Sequence, residues 1–278
     1  MNKNIKAAYE RTKNELLPEP CVPFALKVQK TGIYDCKVGG TPYFPKSERY
    51  PVDENGKPLT LLAQLNFEKI PHISDFPEKG ILQFFIANDD LYGMSLSDMT
   101  EQKNFRVIYH ADVIADETLL YTEDDVPTPL CDAKGDGYVP FDGEYSLVPE
   151  APYEAMPNTC DYRFEDVFVR HYKDVTGKNI EGINELNESM WNDIENLCGQ
   201  TPDVCIGGYP AFTQLDPRED NDSLTGYNVA LFHMRSVYDK ENGVDIMWGD
   251  EGTGTFLIPR ESLRKRDFSK VLYNYDCY

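Results

Sequence analysis

A mainly β fold, a roll of antiparallel strands with a few peripheral helices and two internal pseudo-repeats, is predicted by three features of this 278-residue sequence. First, three blocks recur in order. VGGTPYFP from Val38, LLAQLN from Leu61 and GILQFFI from Gly80 are matched by IGGYPAFT from Ile206, ALFHMR from Ala230 and GTGTFLI from Gly252, at offsets of 168, 169 and 172 residues. A near-constant offset over ordered blocks marks a duplicated unit, and two copies are too few for an open solenoid. Second, the runs are short, rich in branched and aromatic residues, and bounded by Gly or Pro, as strands are. Third, no helical period separates paired runs, which argues for antiparallel pairing and against βαβ crossovers.

The elements follow in order. Ile5, Tyr9, Thr12 and Leu16 recur at helical spacing and Pro18 and Pro20 stop them, so the chain opens with an amphipathic helix. Phe24, Leu26 and Val28 alternate with Ala25, Lys27 and Gln29, the period of a half-buried strand. LLAQLNF, GILQFFI and FRVIYH give further strands, and Leu62, Leu65, Leu82, Phe84 and Phe256 are the predicted core. Ile183, Leu186, Met190, Ile194 and Leu197 predict a second helix over residues 180–197. Strands over 229–237, 244–248 and 255–258 complete the second copy. One domain over 1–278 results, with pseudo-repeats at about 22–111 and 201–278 and an acidic connection with a helix at about 112–200.

Charge narrows the function classes. The chain carries 27 Lys and Arg against 48 Asp and Glu, a formal net charge of −21. Such a surface repels phosphates and anionic lipid, so neither nucleic acid nor membrane is expected as a partner. The opening residues hold no apolar stretch of signal-peptide type and no segment approaches a bilayer span, which predicts a cytoplasmic protein. Seven scattered cysteines without a Cys-x-x-Cys pair fit reduced thiols rather than a disulfide frame or a zinc site. Residues 112–166 contain fifteen acidic residues, only Lys134 and Arg163 as bases, and six prolines. They read as a surface connection rather than a sheet centre, either a solvated linker or an acidic docking face for a basic protein partner.

The densest candidate site is Ile206 to Arg218. Gln214, Asp216 and Arg218 on one rim would let the guanidinium hold a carboxylate or phosphate; alternatively Asp216 and Arg218 pin a turn through their own salt bridge. Trp248 and Asp250 add an aromatic face and a carboxylate at a strand end. These five residues, Gln214, Asp216, Arg218, Trp248 and Asp250, are the predicted ligand-binding set, and Gln214, Asp216, Arg218 and Asp250 are expected to line a polar pocket at the seam between the repeats. The remaining motifs are weaker. Neither Gly-Gly turn is followed by the Lys-Ser or Lys-Thr of a phosphate loop. The four histidines lack ligand spacing. The segment 132–137 resembles a calcium loop but places Lys134 where an oxygen ligand belongs. Cys205 has no histidine near it in sequence. No catalytic residue, metal or cofactor is therefore assigned.

Gly39-Gly40-x-Pro42, LLAQLNF, GILQFFI, IGGYPAFTQLDPR from Ile206, IMWGDEGTGTFLI from Ile246 and the ending FSKVLYNYDC resemble the YwqG-like family of uncharacterised bacterial proteins. The resemblance spans nearly the whole chain and implies a cytoplasmic, mostly β protein with a roll-like core and no established activity. Residues 231–236, LFHMRS, depart from the family pattern by lacking its amide and carboxylate. The function expected is thus a non-catalytic binding protein, docking a basic partner in the manner of an antidote. Its rival is a hydrolase-like enzyme using Asp216, Arg218 and Asp250 in a cleft between the repeats.

Overall fold

The computed structural model describes residues 1–127 and 138–278; the calcium-like segment 132–137 lies outside them. The strands are β1 (Glu19–Val28), β2 (Lys37–Gly39), β3 (Thr60–Asn66), β4 (Ile81–Ile86), β5 (Phe105–His110), β6 (Glu144–Pro149), β7 (Tyr153–Ala155), β8 (Val204–Gly207), β9 (Val229–Arg235), β10 (Val237–Asp239), β11 (Val244–Ile246), β12 (Thr253–Ile258) and β13 (Leu272–Asp276). The helices are α1 (Lys3–Leu16), α2 (Phe164–Thr176), α3 (Glu188–Leu197) and α4 (Arg260–Arg264). One antiparallel sheet runs β5-β4-β3-β2-β6-β1-β8-β9-β12-β13, with β7 beside β1 and with β10–β11 as a separate hairpin.

Both outer halves of the sheet follow the same order of pairings. On one side β2 pairs β3, β3 pairs β4 and β4 pairs β5; on the other β8 pairs β9, β9 pairs β12 and β12 pairs β13. The β3–β4 ladder steps over Leu62 and the β9–β12 ladder steps over Leu231, so each half carries one bulge. The turns after β2 and β8 use two glycines each at φ of 66° and 68°, and 70° and 68°. These positions need glycine, because a Cβ on Gly207 would lie 2.0 Å from the Pro20 carbonyl oxygen.

The sheet curls so that its inner face encloses one core. Phe84 from β4 stacks on Phe232 at 4.9 Å and meets Phe256 at 4.8 Å, joining the halves. Leu62, Leu65, Leu82, Phe84 and Phe256 are all fully buried there; Leu62, three residues from Leu65, shares that core because the ladder bulges at it. The edges of the curled sheet are covered: Phe105 of β5 packs on Tyr273 of β13 at 5.3 Å, Tyr273 N–H bonds to Met99 O, and Val107 N–H bonds to the Gln102 side chain. On the outer face α1, α2 and α3 pack together through Ile5, Tyr9, Phe164, Phe168 and Ile194. Asn2 caps α1, and Asn187 caps α3.

Two expectations are corrected. The acidic connection is not confined to the surface, since β6 lies between β1 and β2 at the centre of the sheet. The physical reason is local: residues 145–149 are uncharged, and Tyr145 and Leu147 drop into the core while the carboxylates flank them. The prolines of β1 are tolerated because its neighbour changes from β7 to β6 around Pro23, whose carbonyl accepts Glu150 N–H. The second helix is α3 alone, ten residues long, because Asn187 starts it and residues 183–185 form a separate 3-10 turn. The helix α2, absent from the sequence reading, begins inside the acidic stretch.

Candidate functional site

The Asp216-Pro217-Arg218 turn follows β8 and folds onto the N-terminal end of α2. Arg218 Nε donates to Asp216 Oδ1 at 2.8 Å and Nη2 donates to Oδ2 at 2.5 Å, a bidentate pair with both residues buried. Arg218 Nη1 donates to Tyr227 O at 3.1 Å. A second Asp-x-Arg unit repeats the geometry beside it: Arg163 Nε and Nη2 each donate to Asp161 at 2.8 Å. Tyr162 lies between them, its ring under the Arg218 guanidinium at 4.8 Å and under Arg163 at 5.5 Å. Asp161 also reaches Arg218 at 3.8 Å, so the Arg218 charge is met by two carboxylates.

A cavity of about 640 Å³ opens over this double clamp. Glu165 and Asp166 enter it from the first turn of α2, Glu181 and Glu185 from the segment after α2, and Glu219 and Asp222 from the segment after the Arg218 turn. None of these six carboxylates has a salt-bridge partner among the described residues. Two are held by backbone: Glu165 accepts Ile183 N–H and Glu185 accepts Glu181 N–H, each at 2.8 Å. Partial burial, followed by the charges of Asp220, Asp216, Glu165 and Asp166, pushes the Glu219 carboxyl above its ordinary value. The cavity is therefore suited to a positive group.

The five residues predicted from sequence fall in different places. Asp216 and Arg218 form the clamp, and Arg218 alone of the five lines the acidic cavity. Gln214 is exposed and ties its segment to the chain end, with its N–H on Asp276 Oδ2 at 2.7 Å and Nε2 on Cys277 O at 2.8 Å. Trp248 is fully buried, edge-on to Tyr92 at 5.3 Å, with its indole against Gly254. Asp250 is exposed in a turn formed by Gly249 and Glu251 at positive φ, and its carbonyl accepts Tyr278 N–H. The single shared pocket expected at the seam thus does not gather them. The carboxylates from α2 and from residues 181–185 were missed. A legible signal existed in the second Asp-x-Arg at Asp161-Tyr162-Arg163.

The outer face of the sheet holds a second group of polar residues that the sequence reading also missed. In the first half, Lys37, Gln64, Gln83 and His110 are buried, and the last three are linked: Gln83 Nε2 donates to Gln64 Oε1 at 2.8 Å, and the His110 ring meets Gln83 Oε1 at 3.0 Å. Burial draws the Lys37 pKa down to about 8, and its ammonium donates to Thr41 O. In the second half, the β8–β9 register sets Cys205 opposite His233, whose Nδ1 meets Thr255 Oγ1 at 2.8 Å. This pairing is not a thiolate–imidazolium couple. Burial holds His233 down at about 3, and the hydrogen bond to Cys21, together with burial, pushes the Cys205 thiol well up. Both rows are sealed from solvent and anchor the covering segments.

The curled sheet and its acidic cavity define an antiparallel β protein with an anionic recess on its helical side. The chain belongs to the family described as a domain of unknown function, DUF1963, whose model matches residues 36–277. The match takes in both outer halves of the sheet, β6, β7, α2 and α3, and leaves out α1 and β1. A search of curated proteins finds no match. No helix among the described residues is long and apolar enough to cross a membrane, and no group of three or more His, Cys, Asp or Glu among them is placed to hold a metal ion.

Proposed function

We propose that this chain is a non-catalytic binding protein that receives a cationic group of a basic protein partner in the cavity above the Asp216–Arg218 clamp. One observation carries the reading: six carboxylates without a salt-bridge partner among the described residues line a recess in which the Arg218 guanidinium is already met by Asp216 and Asp161. The described part of the acidic connection is a weaker docking face, because Asp112, Glu123 and Asp125 already pair with Lys79, Lys30 and Lys46. A clamp in which Asp216 and Arg218 are engaged with each other, with Tyr162 N–H and with Tyr227 O supports binding over the hydrolase reading. The motif resemblance adds a YwqG-like, bacterial and cytoplasmic setting to the same proposal.

The test is titration calorimetry of the full chain with an arginine- and lysine-rich peptide and with an uncharged peptide of equal length. The basic peptide should bind at ~0.1 M salt and weaken steeply at ~1 M, where the screening length falls from ~10 to ~3 Å. The triple variant Glu181→Gln, Glu219→Gln, Asp222→Asn should lose most of that binding while melting like the parent. Equal affinity in the variant would place the cation elsewhere and refute the proposal.

A further inference from the structure

β1 and β8 meet at the middle of the sheet, where the two halves join. Their antiparallel register sets Cys21 opposite Gly207 and Pro23 opposite Cys205. Alternation then places the two cysteines on the same outer face as diagonal neighbours, and Gly207 puts no side chain between them. Both are buried in one small cluster with Ala155 and Tyr209, and Cys205 Sγ lies 3.9 Å from the carbonyl oxygen of Gly207, the residue opposite Cys21. Other described cysteines are engaged differently, Cys36 with the backbone of Asn66 and Cys277 with the Tyr275 hydroxyl.

We propose that Cys21 and Cys205 are a peroxide-sensitive dithiol, oxidised reversibly to a disulfide that staples the two halves of the sheet together at the β1–β8 seam. The reaction needs hydrogen peroxide as oxidant. The Cys21 sulfur attacks one peroxide oxygen, the O–O bond breaks, and the departing hydroxide takes a proton to leave as water. Cys21 is then a sulfenic acid. The Cys205 sulfur attacks it, the S–S bond forms as the S–O bond breaks, and the hydroxyl leaves with the Cys205 proton as a second water. Two thiols have lost two electrons, and one peroxide has gained them. A small-molecule dithiol reverses the bond by two exchange steps.

The surroundings divide the roles. Cys21 receives hydrogen bonds from Cys205 and from Tyr153, which favour its thiolate and hold its pKa below the ordinary thiol value despite burial. Cys205, whose thiol donates to Gly207 O at 3.9 Å and whose pKa is pushed well up, is the resolving thiol. Access to Cys21 runs past Tyr153, which is 40% exposed and sits opposite Cys21 on β7. β7 is three residues long and pairs with β1 alone, so it is a short edge of the kind that opens locally. Diagonal neighbours have Cα atoms ~7–8 Å apart, slightly beyond the usual disulfide range of ~4.4–6.8 Å. Closure therefore draws the strands together, and the resulting bond is readily reduced.

The experiment treats the full chain with hydrogen peroxide, alkylates the remaining thiols under denaturing conditions and maps the peptides by mass spectrometry. The expected result is loss of two of the seven thiols, a peptide joining Cys21 to Cys205, and recovery of both thiols with dithiothreitol. In Cys205→Ser, Cys21 should instead advance to sulfinic acid, without a linked peptide. Retention of all seven thiols at peroxide doses that oxidise free glutathione, or a linked peptide joining any other pair, would overturn the proposal.

Discussion

Asp216 and Arg218, two residues apart, close a buried bidentate ion pair in which the Nε and Nη2 donors of one guanidinium edge meet the two carboxylate oxygens, at 2.8 and 2.5 Å. Their side chains are only 1–2% exposed, so each is the other's replacement for water. A buried pair of this kind is costly to break by removing one partner, because the survivor keeps its charge without its solvent. Arg218→Ala should therefore destabilise the chain by ~3–5 kcal/mol, with Asp216 and Asp161 both left facing each other's charge. Arg218→Lys should fall between, since an ammonium keeps the charge and loses the planar fork. Denaturant melts of the three proteins decide the matter; an Arg218→Ala melt that matches the parent would mean that the turn does not depend on the clamp.

Phe84 occupies the contact between the halves, stacked on Phe232 and tilted against Phe256. Truncating it leaves a cavity bounded by strands that are tied on both sides and cannot collapse. Phe84→Ala should cost ~3–5 kcal/mol, read as a lowered melting temperature. An unchanged melt would contradict its central place in the core.

His110 and His233 give the fold a predictable acid sensitivity. Burial pushes their pKa values down from the ordinary 6.5 to about 4 and about 3, Arg235 adding to the effect at His233. The unfolded chain takes up protons that the folded chain refuses. Stability from these two groups is thus fully present above pH ~6.5 and declines as pH falls toward their folded values, by ~1.4 kcal/mol per unit for each histidine. Urea midpoints measured from pH ~7 down to pH ~5 should fall accordingly, and His110→Gln should remove about half of the slope. A flat profile would show that neither ring is held neutral.

The two halves share a pairing order, a bulge, at Leu62 and at Leu231, and a Gly-Gly turn, and a duplication makes a further demand on them. The expected outcome, checked on a crystal structure, is that residues 38–86 superpose on 206–258 about an approximate two-fold axis. Different strand curvature or spacing at the bulges, such that the Cα traces fail to overlay, would refute the duplication.

The sequence by itself determined the class of fold and much of its core. Those features rest on short-range periodicity: every second residue of a strand meets the same face, so Leu65, Phe84 and Phe256 announce their burial from neighbours alone. The Asp216–Arg218 clamp was legible for the same reason, since its partners lie two residues apart. Only the tertiary structure decided that β6 crosses the sheet centre, that Cys21 meets Cys205, and that Glu165, Glu181 and Glu219 surround one recess. These depend on which strands pair and on where α2 docks. Such contacts join residues many tens of positions apart, and no local period encodes them.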